Sequence, residues 1–389
     1  MVKYYLIMFF DYASATPMDK RVIAAMVPYF ADEFYNPSAA YGMARKVKSD
    51  YQEAKHRIAQ AIGAREAEII MTAGATESIN LAIKSCEVGS RKLEVVTVAT
   101  EHLAVLNAVK AMGGKILPVD KFGRVDPKIL EKSITDDTVL VSIGYANNEI
   151  GTVQPIKEIA EIITKVRENR AERGIKTPIF FHTDASQAAG LLDINVARLG
   201  VDMMTLNAGK CYGPKQAGCL YVRAGVELSP LIFGGGQEAG LRSGTENVAG
   251  TVGFAVALEI AEKKRKSETK RLEELRKDLE KFIINEIDDA EINGHKKYRL
   301  PNIINFSIPG LDAERVVFAL DQKNIQVATG SACSANKGLR SHVLTAIGLS
   351  DEMADGSIRI SFGRGTTKAQ IEKLKPTLAE VIENEKKLS

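Results

Sequence analysis

The chain has 389 residues, 45% hydrophobic and 26% charged, with 52 basic against 49 acidic residues and a net charge of +3. That length and balance indicate a soluble globular protein with one large and one smaller domain, and they give no reason to expect nucleic-acid binding. The only concentrated charge, "EKKRKSETKR" at 262–271, reads as a solvated helix face. Four scattered cysteines, Cys86, Cys211, Cys219 and Cys333, form no metal-spaced pair and no disulfide framework, which points to a reducing, cytoplasmic setting without a bound metal.

The N-terminal "MVKYYLIMFF" is apolar but too short for a signal segment, and is expected to be a short extension, with Met8 an alternative start, running into a first strand. No run approaches the roughly 20 apolar residues of a membrane span. Residues 43–62 carry helical spacing, and "AEIIMTAGATES" then reads as strand, loop and helix start, with the helix opening at Glu77. The small residues Gly74, Ala75 and Thr76 would leave N–H groups free at a helix dipole, a seat for a phosphate; the same letters also fit an ordinary N-cap.

Apolar, β-branched runs follow at 93–100, 138–146 and 178–185, with helical candidates near 103–112 and 156–173 between them. This alternation predicts a mostly parallel sheet covered on both faces, whose ligands collect at the carboxyl ends of the strands. The first of these strands ends in Glu101 and His102, an imidazole able to stack on a ring or move protons. The second ends in Asn148, and the third in Asp184 and Gln187, where a carboxylate can pair with a ring N–H⁺. Each of these residues, taken singly, also suits a turn or a cap.

Lys210 follows the apolar "MMTLNAG" and precedes a Gly-Pro turn. Residues 250–287 read as one long helix linking the domains, with 9–255 as the large domain and 256–389 as a smaller α+β domain against which the N-terminal residues pack. In "GSIRISFGRG" the alternation puts Ile358, Ile360 and Phe362 on one face and Ser357, Arg359 and Ser361 on the other, so Arg359 is expected on the polar face of a half-buried strand, a mount for carboxylate capture. Cys333 sits among small polar residues, which suits a reactive thiol on a loop rather than a packed one. Together these strand ends offer a phosphate seat, a carboxylate for a pyridinium, a lysine for a Schiff base, an arginine for an amino-acid carboxylate and a thiol. Pyridoxal 5′-phosphate needs that combination.

The ordered motifs "DYASATP", "NPS", "GATES", "TEH", "NNEIGTVQPI", "HTDASQ", "GKCYGPK", "GGGQEAGLRSGTEN", "LPNIINFSI", "TGSACS" and "SIRISFGR" resemble, over nearly the whole chain, the cysteine desulfurases of iron–sulfur cluster assembly. These are class-V aminotransferases of the fold-type I pyridoxal-phosphate class. The resemblance implies that Lys210 binds the cofactor covalently, that Ala75 and Thr76 meet its phosphate, and that His102 stacks on its ring. It implies that Asp184 pairs with the ring nitrogen, that Gln187 meets the ring hydroxyl, and that Asn148 and Arg359 bind the substrate, L-cysteine. Thr245 would reach the phosphate of a neighbouring subunit, hence a homodimer, and Cys333 would accept the sulfur and pass it to an iron–sulfur scaffold or another acceptor. The related readings are another lyase or aminotransferase of this fold, such as a selenocysteine lyase or Cβ–S lyase, and a weakened homologue that serves as a protein-binding component of sulfur assembly.

The chain departs from this pattern in three places. Asn207, Ala208 and Gly209 stand where the family has Ser/Thr-x-His before the lysine, and Asn207 is expected as a replacement donor to the phosphate. "NPSAAYG" is shortened and lacks a histidine, and Gln216 replaces a common glycine. A lost hydrogen bond to a charged phosphate costs roughly 1.5–3 kcal/mol.

Overall fold

The computed structural model describes residues 7–85, 94–330 and 340–387. Cys86 and Cys333, with their expected roles, lie outside the described residues. Strand β1 (Met8–Phe9) opens the chain, followed by helices α1 (Lys20–Met26), α2 (Pro28–Ala31) and α3 (Gly42–Ile62). Strand β2 (Ile69–Thr72) leads into α4 (Ala75–Lys84), and β3 (Glu94–Val98) into α5 (Leu103–Ala111). After β4 (Lys115–Leu117) and α6 (Pro127–Ser133) come β5 (Thr138–Ser142), α7 (Ile156–Glu172), β6 (Phe180–Asp184), α8 (Val196–Leu199), β7 (Met203–Asn207) and β8 (Gly218–Val222).

These strands build a seven-stranded sheet in the order β2-β8-β7-β6-β5-β3-β4. The pairs β7–β6, β6–β5, β5–β3 and β3–β4 are parallel, while β8 runs antiparallel to both its neighbours. The parallel, helix-covered sheet expected from the alternation is therefore present. Its strands are continuous apolar runs because each face packs its own core. Val96, Val98, Met204 and Leu206 enter a cluster with Val47 and Ile58 of α3. Val95, Leu140, Met203 and Leu220 enter another with Ile79 of α4 and Val105 of α5. Met203 and Met204 separate to opposite faces as the two-residue period of a strand requires.

The long helical run is one continuous helix, α9 (Val248–Glu286). Val248, Phe254, Leu258 and Ala261 join the large core, whereas Leu272, Leu275, Leu279 and Ile283 join a second core. That second core lies under β9 (Glu291–Ile292), β10 (Ile303–Ser307), α10 (Ala313–Gln322), β11 (Ile325–Gln326), β12 (Ser357–Ser361) and a C-terminal helix, Lys368–Lys386. Here β12-β10-β9 form an antiparallel sheet, and β1 pairs parallel with β11, so Phe10 is buried in the second core.

Two expectations are corrected by the packing. Helix α4 starts at Ala75, not Glu77, because Gly74 at its N-cap adopts φ +138°, releasing the backbone earlier than a side-chain cap would. Strand β12 is not half-buried: Ser357, Ile358, Arg359, Ile360 and Ser361 are all buried, since the N-terminal segment covers the face expected to be polar.

Candidate active site

Five strand ends meet at one cavity of about 300 Å³, lined among others by Thr76, His102, Asn148, Asp184, Gln187, Asn207, Lys210 and Arg359. Ala75 lines it too, whereas Gly74 lines only the adjoining cleft. Thr245 is not among its walls: it is exposed, on the loop before α9.

Lys210 is delivered by a short 3₁₀ turn, Ala208–Lys210, that begins where β7 ends. The turn is capped by Asn207, whose Oδ1 accepts from the Gly209 N–H at 3.0 Å. From there Lys210 Nζ donates to the carbonyls of Ala13 at 2.8 Å and Ser14 at 2.7 Å, both in the N-terminal segment. Gln187 Nε2 donates to the same Ala13 carbonyl at 2.9 Å. The lysine amine and the Gln187 amide thus converge on one point of the cavity wall.

Asp184 ends β6 with Oδ1 held by the Ser186 N–H at 2.9 Å and the Ser186 hydroxyl at 2.6 Å. Its strand is locked in place by His182, which is completely buried and spans the sheet, Nδ1 lying 2.9 Å from the Ser142 hydroxyl of β5 and Nε2 2.9 Å from the Thr205 hydroxyl of β7. Burial pushes the His182 pKa down to about 3, so the ring is neutral and acts as a cross-strand strut.

His102 caps α5: its Nδ1 accepts from the Ala104 N–H at 3.1 Å, which puts the proton of the neutral ring on Nε2. The ring surface is open to the cleft, yet the surrounding protein holds its pKa below the ordinary histidine value, chiefly through desolvation and against the pull of Asp184. Next to it Glu101 is buried, with Oε1 accepting from Gly144 N–H at 2.7 Å. Desolvation first, and the neighbouring Asp184 charge, push its pKa up to about 8.

At the β2 end, Gly74, Ala75 and Thr76 present the N-terminus of α4 to the cavity and to an adjoining open cleft. The first turn of α4 carries Glu77, held by the Ala73 N–H at 3.1 Å and by Arg242 Nε at 3.0 Å. Arg359, only 1% exposed, reaches the cavity from β12. Its Nη2 donates to Asp11 Oδ1 at 2.6 Å and to Ser14 Oγ at 2.8 Å, and Nη1 to the Asn148 main-chain carbonyl at 3.1 Å. Its Nε is buried with no partner among the described residues.

Sequence reasoning did not assign Asp11, Ser14, Asn147, Glu101 or His342 to the site. Asn147 fastens two strand ends, donating to the Thr100 carbonyl at 2.8 Å and accepting from the N–H groups of Glu149 and Ile150 at 2.8 and 2.9 Å. His342 donates from Nε2 to the Glu101 carbonyl at 2.8 Å. Asp11 and Ser14 lie inside the quoted motif "DYASATP", Glu101 inside "TEH" and Asn147 inside "NNEIGTVQPI", and that was the available signal. No group of three or more histidines, cysteines or acids able to hold a metal occurs among the described residues.

A lysine, a strand-end carboxylate, a strand-end imidazole and a helix N-terminus around one cavity fit pyridoxal phosphate. The fold and the site define a class-V aminotransferase, a pyridoxal-phosphate-dependent enzyme, and the family model described as aminotransferase class-V matches residues 8–374. The chain is 42% identical over 388 residues to "Cysteine desulfurase IscS" of Dictyoglomus turgidum, covering 98% of this chain and 96% of that one. It is 41% identical to "Cysteine desulfurase IscS 1" of Archaeoglobus fulgidus, covering 98% of each. Among solved structures it resembles a "NifS-like protein" with a TM-score of 0.89 and 34% identity, covering 97% of this chain and 100% of the other. It also resembles "SspA in complex with cysteine", with a TM-score of 0.77 and 37% identity, over 91% and 98%. The chain belongs to the cysteine desulfurases of the class-V aminotransferase family.

Proposed function

We propose that the protein removes sulfur from L-cysteine, releasing L-alanine and leaving a persulfide on Cys333. The observation that carries the reading is the single cavity in which Lys210, Asp184, His102, Gln187, Thr76 and Arg359 meet. In it Asp184 would hold the ring nitrogen of pyridoxal phosphate, Gln187 the ring hydroxyl and His102 the ring face. The N–H groups at the start of α4 would hold the phosphate, with Ala75, Thr76 and Asn207, and Lys210 would bond the aldehyde carbon. When bound, this cofactor supplies an electron sink for the charge left by a departing Cα proton.

Arg359 presents a rigid fork to the substrate carboxylate, oriented by Asp11, Ser14 and the Asn148 carbonyl, with Asn148 beside it. Lys210, once released, is the base positioned to take the Cα proton on Nζ. The Cys333 sulfur then forms an S–S bond to the substrate sulfur as the substrate's C–S bond breaks. That electron pair stays on the carbon, which takes a proton and becomes the methyl group of alanine. The persulfide sulfur passes to an iron–sulfur scaffold or another acceptor protein.

The working unit is a homodimer with shared sites. Two features support this: Thr245 is exposed on a surface loop, and Ile23, Val27, Phe30, Phe34 and Phe233 leave apolar side chains 46–82% exposed. No helix among the described residues is long and apolar enough to cross a membrane, and the scattered thiols suit a cytoplasmic protein. The test incubates purified protein with L-cysteine and measures alanine and bound persulfide. Lys210→Ala should abolish both, and Cys333→Ala should retain cysteine binding but lose the persulfide. Undiminished sulfide release by Cys333→Ala with dithiothreitol would overturn the desulfurase reading in favour of a simple lyase.

A further inference from the structure

The open cleft beyond Lys210 is lined by Gly74, Ala75 and Thr76 on one side and by Asn207, Gly209, Lys215 and Gln216 on the other. It is continuous with the cavity of the proposed site, sharing Ser14, Ala75, Thr76, Asn207 and Lys210 with it. Gly209 is not demanded by backbone geometry, since a Cβ there would meet Asn207 Oδ1 at 3.4 Å and Lys215 Cγ at 3.8 Å, both ordinary contacts. The stem of Lys215 therefore runs across the space a side chain at position 209 would enter. Its ammonium makes no hydrogen bond or ion pair among the described residues. The acid of this cleft, Glu77, is already engaged by Arg242 and the Ala73 N–H. A free cation beside a helix N-terminus is a match for a dianion.

We propose that Lys215 contacts the phosphate of bound pyridoxal phosphate across the gap left by Gly209, as the cationic partner of the α4 N-terminus. This rests on the phosphate seat at Ala75 and Thr76 given above. Of the other two lysines of the cleft, Lys210 is the residue given above to the aldehyde carbon, and Lys84 ends α4 and lies roughly 14 Å along the helix from its start at 1.5 Å per residue, too far for the same contact.

The test titrates cofactor-free protein by absorbance with pyridoxal 5′-phosphate and, separately, with pyridoxal, which lacks the phosphate. Lys215→Ala should weaken pyridoxal 5′-phosphate binding about tenfold, the size of a lost charge-assisted contact, and leave pyridoxal binding within about twofold. Lys215→Arg should keep affinity within about threefold, and Lys84→Ala should also change it less than about threefold. An unchanged Lys215→Ala beside a weakened Thr76→Ala would overturn the role of Lys215 while the phosphate seat stands. If both variants bind as tightly as the parent, the seat itself is misplaced. Equal losses for pyridoxal and its phosphate, or a Lys84→Ala loss as large as that of Lys215→Ala, would reduce Lys215 to a structural or diffuse electrostatic role.

Discussion

Glu101→Gln should make the cofactor-free protein more stable, by an amount that grows with pH. Glu101 is 6% exposed, and among the described residues it accepts from the Gly144 N–H at 2.7 Å. Burial and the Asp184 charge raise its pKa from 4.5 to about 8 in the folded chain. The folded state thus prefers the protonated acid, whereas the unfolded chain ionises near pH 4.5. Its neutral-form contribution is complete below that pH and is lost as pH rises toward 8, at about 1.4 kcal/mol per unit. At pH 7 the accumulated cost is on the order of 3 kcal/mol, reached over 2.5 units. Glutamine retains the oxygen that accepts from Gly144 and cannot ionise. Urea unfolding of both cofactor-free proteins from pH 5 to pH 8.5 should give curves that nearly coincide at the acid end and separate upward. Parallel curves would refute the reasoning, because they would mean that Glu101 is ionised in the folded protein throughout.

His182, held neutral by burial with its pKa lowered to about 3, contributes stability that is present above about pH 6.5 and lost as pH falls toward 3. By pH 5 that loss is about 2 kcal/mol, so His182→Asn should flatten the acid limb of the unfolding curve, and an unaltered slope would dismiss the strut as the acid-sensitive element. Gln216 occupies a left-handed backbone conformation, φ 59°, and Gln216→Gly should raise stability by about 0.5–1 kcal/mol in urea unfolding; a loss would show that its side chain contributes more than the strain costs. Asp11→Asn keeps a hydrogen-bond acceptor for Arg359 but removes the competing charge 2.6 Å away, so KM for L-cysteine should fall about fivefold with kcat little changed. A rise in KM would instead assign Asp11 the task of holding Arg359 in its binding pose.

Much of this site could be read locally, because strand ends announce themselves. An apolar run that stops at small or polar residues marks where a buried strand leaves the sheet, and in a parallel sheet these exits share one edge. Hence His102, Asn148, Asp184 and Lys210, each of which singly also suits a turn or a cap, stand out by their joint placement at strand ends, and the cavity contains them all. The long helix was equally plain, since residues 250–287 read as one helical stretch and the observed helix runs Val248–Glu286. The start of α4 was misjudged because the conformation of Gly74, rather than the Thr76 side chain, sets it.

The amino-acid order by itself determined the alternation of strands and helices, the strand-end chemistry and the departure at Asn207, Ala208 and Gly209. Only the tertiary structure decided what stands opposite each group. Asp11 and Arg359 are 348 positions apart and join because β1 pairs with β11 and Asp11 bridges to Ser361 of β12. Period-two alternation reports which residues share a face of β12, but not that an N-terminal segment covers it, so Arg359 became a buried and oriented fork instead of a surface cation. The same holds for Glu101, whose pKa is raised first by its burial in the fold and then by the Asp184 charge, against the Gly144 hydrogen bond. A residue's type is local, whereas its solvation and its partners are properties of the whole fold.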